Sequence, residues 1–387
     1  MSSYTFNTVA RIAAGSGEAL RLHAHCGDLG VARVLLVTDP GLVNIGLIAP
    51  VEAALVDAGI DVTLFAEVRE DPPEAVVEAA VAAGRTADVE AVVAVGGGSS
   101  MDVAKVVAAL LAGDQPLAEM YGVEQLRGGR LPLILVPTTA GTGSEVTPVA
   151  VITTGETTKA GVSSATLLPD VAVLDADLTL GLPPAVTAMT GVDAMVHAIE
   201  AYTSKIKKNP ISDNLARSAL AQLGAHIRTA VHDGQQRTAR AAMLLGAMQA
   251  GQAFANAPVA AVHALAYPLG GHYHIPHGLS NSLVLPAVLR FNLPEAAGLY
   301  AELLDILDPG AASGSDESRA TALVAYLETL IDELQLPATL SAAGVREDSL
   351  EMLAEDAMLQ QRLLVNNPRD VAYDDALAIY RAAYAGA

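Results

Sequence analysis

The residues best suited to chemistry are an acid and a histidine four positions apart, Asp193 and His197, in a stretch whose pattern predicts a helix. Residues at this spacing lie on one helix face with Cβ atoms about 5–6 Å apart, so the carboxylate and imidazole can hold one divalent cation. A second predicted helical stretch carries His263 and ends at His277. Together these four residues predict a metal site, and one carboxylate with three imidazoles suits Fe²⁺ or Zn²⁺.

Two more histidines compete for the same role. His272 and His274 flank the loop before Pro276, and they rank below His277, which directly follows that proline. A single histidine in an apolar segment is usually a structural residue. Four ligand-type residues in two helical segments are harder to explain structurally, so the metal site is the favoured interpretation.

A glycine turn earlier in the chain has the composition of a phosphate-binding site. Gly96, Gly97, Gly98 and Ser99 stand between a predicted strand and a predicted helix. Glycines let a backbone approach a pyrophosphate closely, and the helix start offers free N–H groups and the positive end of its dipole. The spacing is not the G-x-G-x-x-G fingerprint, so a tight structural turn stays open as the alternative.

Three other features support a nucleotide site in the same half. Asp39 directly follows a predicted strand, where a carboxylate can accept hydrogen bonds from ribose hydroxyls and disfavours a 2′-phosphate, unless it only initiates the turn at Pro40. The hydroxyl-rich loop 137–145 can bind a diphosphate, a ribose or a carboxamide. Lys159, in the next irregular region, can pair with phosphate or ribose oxygens, or lie solvated on the surface.

The elements that must position these residues fall into two halves. Up to about residue 180, apolar β-branched runs alternate with helical segments, which predicts βαβ units and a doubly wound parallel sheet. From Pro184 onward helix-forming sequence takes over, and proline is common at a first helical position. We therefore predict an α/β dinucleotide-binding domain over 1–182 and an all-helical metal and substrate domain over 183–387.

Composition excludes several classes of protein. The 387 residues carry a net charge of −21, which disfavours nucleic-acid binding. Cys26 is the single cysteine, which rules out a disulfide scaffold or a thiolate zinc site and fits a reducing compartment. No apolar run reaches the length of about 18 residues needed for a membrane span, and no secretory signal is visible at the start. The expected protein is cytoplasmic and does not bind membranes.

Taken in order, these motifs resemble the iron-containing (group III) alcohol dehydrogenases over nearly the whole chain. The resemblance implies an α/β nucleotide domain and a helical metal domain, an architecture broadly shared with dehydroquinate synthase, with the active site in the cleft between them. It also implies Asp193, His197, His263 and His277 as iron ligands and a homodimer or larger homo-oligomer. The residues then assigned to NAD are Asp39, Gly96, Gly97, Gly98, Ser99, Asp102, Thr138, Thr139, Thr142, Ser144 and Lys159.

The chain departs from this family at one position that bears on proton transfer. Many relatives carry a histidine, thought to relay a proton, where this chain has Tyr267. Tyr267, His272 or a water chain is expected to take over that role. Maleylacetate reductases, a related branch that works without metal, lack the full ligand set, so the four ligand-type residues place this chain outside that branch.

The expected reaction is hydride transfer between NAD(H) and a small alcohol or its aldehyde or ketone, with Fe²⁺ or Zn²⁺ as Lewis acid. Three alternatives remain at this point. They are a hydroxyacid–oxoacid transhydrogenase that recycles bound NAD, a metal-dependent lyase of the dehydroquinate-synthase type, and a non-catalytic nucleotide-binding protein.

Overall fold

The structure is a computed structural model that describes residues 3–155, 158–310 and 313–386. The chain divides into two compact units between Gly181 and Leu182. One unit is Asn7–Gly181, and the other begins at Leu182 and includes the described residues that precede Asn7. Each unit has its own set of secondary-structure elements.

The unit Asn7–Gly181 alternates strands with helices. Its described strands are β1 (Arg11–Ala14), β2 (Arg33–Val37), β3 (Asp61–Phe65), β4 (Ala91–Gly96), β5 (Gly122–Val123), β6 (Leu133–Pro137), β7 (Val149–Thr154), β8 (Thr158–Ser163) and β9 (Val171–Leu174). Its described α-helices are α1 (Leu22–Leu29), α2 (Pro40–Asn44), α3 (Ala49–Asp57), α4 (Glu74–Thr86) and α5 (Gly98–Ala112).

The main sheet has the strand order β1-β9-β6-β4-β2-β3, and neighbouring strands pair in parallel. Successive side chains of a strand point to opposite faces, and both faces of this sheet are buried. Leu35 and Val37 of β2 pack with α4 and α5, whereas Val34 and Leu36 pack with residues of α1 and α3. Helices therefore cover both faces, and the predicted doubly wound parallel sheet is confirmed.

A smaller sheet in the same unit has the order β5-β8-β7, with β7 and β8 antiparallel. Lys159 lies in β8, opposite Thr153 of β7. The expectation that Lys159 lies in an irregular region is therefore wrong, because the hairpin partner supplies backbone hydrogen bonds that the local sequence does not reveal. The short β1 strand was also not predicted.

The described residues of the unit that begins at Leu182 form helices joined by loops, with no strand among them. Its α-helices are α6 (Pro184–Thr203), α7 (Pro210–His232), α8 (Arg237–Asn256), α9 (Ala261–Tyr273), α10 (His277–Leu307), α11 (Asp316–Glu333), α12 (Leu350–Met358), α13 (Gln361–Leu364) and α14 (Tyr373–Ala385). Pro184 occupies the first turn of α6, as predicted. None of the described helices in the chain combines the length and apolar character that crossing a membrane requires.

Helix α6 lies at the centre of this helical unit. It packs against α7, α8 and α10, and each residue from Gly191 to Thr203 is buried. A helix surrounded in this way places its polar residues in the interior of the unit. Polar groups buried there need partners, and those of Asp193 include His263 of α9 and His277 of α10.

Candidate metal centre

Three helices of the second unit bring the predicted ligand residues together. Asp193 and His197 lie one turn apart on α6, His263 lies near the start of α9, and His277 is the first residue of α10. The sequence had suggested two helical segments. The later segment is in fact two helices, because His274, at φ 53°, ends α9 in the left-handed conformation and the chain turns at Pro276.

The four side chains converge on one oxygen. The Nε2 atoms of His197 and His263 each lie 4.0 Å from Asp193 Oδ1, and His277 Nε2 lies 3.6 Å from the same atom. The four candidate ligand atoms all lie within 4.8 Å of one another. Asp193, His197 and His263 are buried, whereas about a third of the His277 side chain is exposed, at 35%. The cluster is therefore open at His277.

Asp193 is a buried carboxyl surrounded by three imidazoles. Burial acts to raise its pKa, but the imidazoles of His197, His277 and His263 and an amide of Asn281 outweigh it and hold the pKa of the carboxyl below the usual value. Asn281 Nδ2 donates to Asp193 Oδ1 over 2.6 Å and lies 3.2 Å from His263 Nε2 and 3.3 Å from His277 Nε2. A single donor thus faces three acceptor atoms.

This donor set fits a divalent transition metal. Asn281 Nδ2 lies within hydrogen-bond distance of Asp193 Oδ1 and of the Nε2 atoms of His263 and His277, and a cation at that position would satisfy the same lone pairs. Imidazole and carboxylate suit iron and zinc, and protein ligands bind zinc at about 2.0–2.2 Å. The three imidazole nitrogens lie 3.6–4.0 Å from Asp193 Oδ1, and all four ligand atoms lie within 4.8 Å of one another, so these residues could hold one such ion.

Aromatic side chains line the cluster. Phe254 of α8 stacks on His197, with ring centroids 4.3 Å apart, and the Tyr267 ring lies 6.0 Å from that of His277. Tyr267 is one helical turn after His263 on α9, so both side chains share a helix face. The structure therefore places Tyr267 beside the cluster, on the side of the partly exposed His277.

The competing histidines have other environments. His272 Nε2 pairs with a carboxylate oxygen of Asp356 on α12. His274 is exposed and supplies the backbone N–H that caps α9, donating to Gly270 O over 3.1 Å. Neither residue belongs to the group of ligand-type side chains formed by Asp193, His197, His263 and His277.

Sequence reasoning missed two polar residues of this site. Glu200 lies seven residues after Asp193, on the same face of α6, and its Oε2 is 2.5 Å from His263 Nδ1. Asn281 lies one turn after His277 on α10. The sequence could have identified both residues by their spacing. Seven residues after Asp193 and four residues after His277 are positions on the same helix face as a predicted ligand.

In the α/β unit, several predicted cofactor residues meet at one edge of the sheet. The carboxyl ends of neighbouring strands β2, β4 and β6 lead into Asp39, the glycine turn and Thr138. Asp39 Oδ1 accepts a hydrogen bond from Leu42 N and caps α2, and its Oδ2 lies 3.9 Å from where a Cβ on Gly96 would be. Thr138 N donates to Gly96 O over 3.0 Å. Ligands of open parallel sheets bind at this edge.

The glycine turn is in close contact with the hydroxyl-rich loop. A Cβ on Gly98 would lie 2.8 Å from Thr142 Cγ2, and a Cβ on Gly97 would lie 3.9 Å from Thr139 Oγ1. Helix α5 begins at Gly98, so Ser99 lies in its first turn. The structure therefore brings together the backbone of the glycine turn, a helix N-terminus and threonine side chains, the groups that bind a pyrophosphate.

Two predicted cofactor residues instead bind each other. Ser144 Oγ donates to Asp102 Oδ1 over 2.7 Å, and the fully buried Lys105 donates to Ser144 Oγ, Thr147 Oγ1 and Val149 O. Burial lowers the pKa of Lys105 to about 8, despite the nearby carboxylates of Asp102 and Glu145. This network joins α5 to the segment after the hydroxyl-rich loop.

Lys159, the last of the predicted cofactor residues, has a protein partner. Its Nζ donates to Asp71 Oδ1 over 2.6 Å, and about 15% of its side chain is exposed. The ion pair joins the β7–β8 hairpin to the segment before α4. A lysine held in this way is not a freely solvated surface residue.

Comparison with known families covers both units. The model described as iron-containing alcohol dehydrogenase matches residues 10–176, and the one described as the C-terminal part of the Fe-containing alcohol dehydrogenase family matches 187–384. The chain belongs to the iron-containing alcohol dehydrogenase family. As a member, it is an oxidoreductase that interconverts alcohols and their aldehydes.

Individual members of the iron-containing alcohol dehydrogenase family resemble the chain over nearly its full length. Long-chain-alcohol dehydrogenase 1 of Geobacillus thermodenitrificans is 42% identical, over 96% of this chain and 94% of its own. The crystal structure of a 1,3-propanediol oxidoreductase matches with a TM-score of 0.96 and 34% identity, covering 99% of this chain and 100% of its own. Sulfoacetaldehyde reductase of Bifidobacterium kashiwanohense, solved with NAD⁺, matches with a TM-score of 0.87 and 29% identity over 98% of each chain.

These findings confirm the predicted family, fold class and enzyme class, and the cofactors iron and NAD. The transhydrogenase, lyase and non-catalytic alternatives are not needed to explain the chain.

Proposed function

We propose that Asp193, His197, His263 and His277 hold the iron of this alcohol dehydrogenase, with Zn²⁺ as the alternative ion that suits the same ligands. The observation that carries this proposal is the approach of three imidazole nitrogens to Asp193 Oδ1 within 4.0 Å. The helical domain 183–387 is then the metal and substrate domain, and the α/β domain 1–182 is the dinucleotide domain.

NAD(H) is assigned to the carboxyl edge of the main sheet. The glycine turn 96–98 and Ser99, at the start of α5, offer backbone N–H groups to the pyrophosphate, and Asp39 accepts from the ribose hydroxyls. Thr138, Thr139 and Thr142 supply hydroxyls beside that turn, as their distances from it support. Asp102, Ser144 and Lys159 act mainly by shaping this surface, since their polar atoms bind other residues of the chain.

The residues at the proposed metal site have different roles in alcohol oxidation. When bound, the metal polarises the substrate oxygen as a Lewis acid, and NAD carries the hydride. Asp193 and the three histidines orient the site, and the Phe254 ring against His197 keeps that side apolar and excludes water. Tyr267, beside the partly exposed His277, carries the alcohol proton toward solvent. A small apolar alcohol or aldehyde is the substrate that suits these surroundings.

The test is a screen of short alcohols and aldehydes, following NADH absorbance, on protein loaded separately with Fe²⁺ and Zn²⁺. Asp193→Ala should lose bound metal and turnover and keep NAD binding. The matched control is His274→Asn, which removes an exposed histidine three residues before His277 and keeps a residue type that tolerates the left-handed conformation. Wild-type turnover in Asp193→Ala would show that the ligand assignment is wrong.

We also propose that the enzyme is a cytoplasmic homodimer or larger homo-oligomer. The buried free thiol of Cys26 supports a reducing compartment. The oligomer follows from the family resemblance, and light scattering on the purified chain tests it. A monomer at micromolar concentration would contradict it.

A further inference from the structure

Glu200 is a buried acid that joins two of the helices that carry the proposed metal ligands. It lies on α6, is 3% exposed, and reaches the first turn of α9. Its Oε1 accepts a hydrogen bond from Val262 N over 2.7 Å, and its Oε2 lies 2.5 Å from His263 Nδ1. Both carboxylate oxygens are therefore engaged by adjacent residues at the start of α9.

These contacts determine which nitrogen of His263 carries the proton. A neutral imidazole has one donor nitrogen and one acceptor nitrogen, and a carboxylate oxygen at 2.5 Å requires Nδ1 to be the donor. Nε2 is then left with its lone pair. An independent contact agrees, because Asn281 Nδ2, which can only donate, lies 3.2 Å from His263 Nε2.

We propose that Glu200 is a positioning residue that holds His263 in the Nδ1-protonated tautomer, with the Nε2 lone pair directed at Asp193 and the metal. This inference rests on the proposed metal ligation by His263. Glu200 also attaches His263 to the N-terminal turn of α9, where a carboxylate satisfies an otherwise unpaired backbone N–H. A carboxylate behind a histidine ligand orients the ring and increases its basicity as a ligand.

The substitution Glu200→Gln tests this role with almost no change of volume. Val262 N–H and His263 Nδ1–H are both donors, and a glutamine side chain offers one acceptor oxygen where glutamate offers two. If the oxygen accepts from Val262, the glutamine NH₂ faces His263 Nδ1 and favours the tautomer whose Nε2–H points into the site. If it accepts from His263, Val262 N–H loses its partner.

The first measurement is the Zn²⁺ affinity of metal-depleted protein, by competition with a chelating dye and without nucleotide or substrate. We expect Glu200→Gln to bind Zn²⁺ about 10- to 100-fold more weakly than wild type, and Glu200→Asp, which keeps two acceptor oxygens, to fall between them. The matched control is Ser204→Ala. It removes another buried hydrogen bond from the end of α6, to Pro258 O at 2.8 Å, and should leave the affinity within about twofold.

Asp193→Ala separates this inference from the proposed function. If Asp193→Ala loses Zn²⁺ binding and Glu200→Gln binds it as tightly as wild type, the positioning role of Glu200 is wrong and the ligand assignment stands. If Asp193→Ala retains wild-type affinity, the ligand assignment itself fails.

The second measurement reads the tautomer directly and needs no variant of Glu200. Long-range ¹H–¹⁵N spectra of the metal-free protein, labelled with ¹⁵N-histidine, distinguish Nδ1–H from Nε2–H, and His263→Ala identifies the signal of His263. We expect His263 to carry its proton on Nδ1. A wild-type His263 protonated on Nε2 would overturn the inference even if Glu200→Gln did not fold.

Discussion

Gly278 of α10 lies against the backbone carbonyl of Met189 on α6, so closely that a Cβ on Gly278 would be 2.3 Å from the Met189 oxygen and 3.3 Å from Asp193 Cβ. Backbone atoms cannot move aside as a flexible side chain does. Gly278 directly follows His277, so this contact sets how closely two ligand-bearing helices approach one another.

The first prediction concerns Gly278→Ala. The added methyl group should force α10 away from α6, cost about 1–3 kcal/mol of the free energy of unfolding and weaken metal binding, because His277 moves with the helix. Gly298→Ala is the control on the same helix. Its Cβ would meet Asp316 Oδ2 at 3.4 Å, and the stability should change by less than about 1 kcal/mol. Urea unfolding measures the stability of both variants, and Zn²⁺ titration measures their metal binding. Equal stability and equal Zn²⁺ affinity in the two variants would contradict the prediction.

Metal removal should destabilise the ligand-bearing helices selectively. A ligand that binds only the folded state at 100 times its Kd stabilises that state by about 2.7 kcal/mol. Dialysis against a chelator should therefore lower Tm by several degrees. It should also speed amide hydrogen exchange in α6 around Asp193, leaving β4 and β6 unchanged. An equal increase in hydrogen exchange in α6 and in β4 and β6 would argue against a metal bound by these four residues.

Tyr267→Phe tests the proton path. Loss of the phenol should lower kcat for alcohol oxidation by at least about tenfold, because positioned acid–base groups contribute about 10²–10⁴ in rate. The bound metal should not change, since Tyr267 is not among the four ligand residues. Tyr273→Phe is the control on the same helix. It removes the hydrogen bond to Ser349 Oγ and the one that Arg346 N donates to the phenol, and it should leave kcat unchanged. An unchanged kcat in Tyr267→Phe would show that another group transfers the alcohol proton.

Asp39→Asn should relax the preference for NAD over NADP. Asparagine caps a helix as well as aspartate, so the hydrogen bond from Leu42 N is kept and the charge is lost. We expect the ratio of kcat/KM for NADPH to that for NADH to rise about tenfold, as removal of one close like-charge contact implies. A ratio equal to that of wild type would exclude Asp39 from the ribose site.

The stability of the chain should depend on pH through Glu145. Burial raises the pKa of its carboxyl from 4.5 to about 7, despite the nearby Lys105. Between these values the folded chain binds more protons than the unfolded chain. The contribution of Glu145 is therefore complete below pH 4.5 and is lost as the pH rises through 7. At about 1.4 kcal/mol per pKa unit, the contribution is on the order of 3 kcal/mol.

Glu145→Gln should remove this dependence. The difference in the free energy of unfolding between wild type and variant should change steadily from pH 4.5 to 7. Glu351→Gln, which removes an exposed carboxyl on α12, is the control for a substitution outside the buried network. Denaturant unfolding at several pH values measures both. A flat difference for Glu145→Gln would show that its carboxyl titrates alike in the folded and unfolded chains.

The sequence by itself determined the features that depend on local periodicity. Alternating strand and helix patterns are sufficient to predict a parallel sheet, and the spacing of Asp193 and His197 places them on one helix face. The glycine turn and the threonine-rich loop each follow a strand, and the carboxyl ends of parallel strands meet at one edge. The sequence therefore predicts that both lie at this edge, and the structure, with β4 next to β6, places Thr142 beside Gly98.

Only the tertiary structure decided which distant side chains complete the cluster. His272, His274 and His277 have the same chemistry, and the left-handed turn at His274 and the packing of α10 on α6 bring His277 to Asp193. The roles of Glu200 and Lys159 also depend on partners, Val262 and Asp71, that come from separate elements. How helices and hairpins approach is set by the fit of many buried side chains, and no short stretch of sequence contains that information.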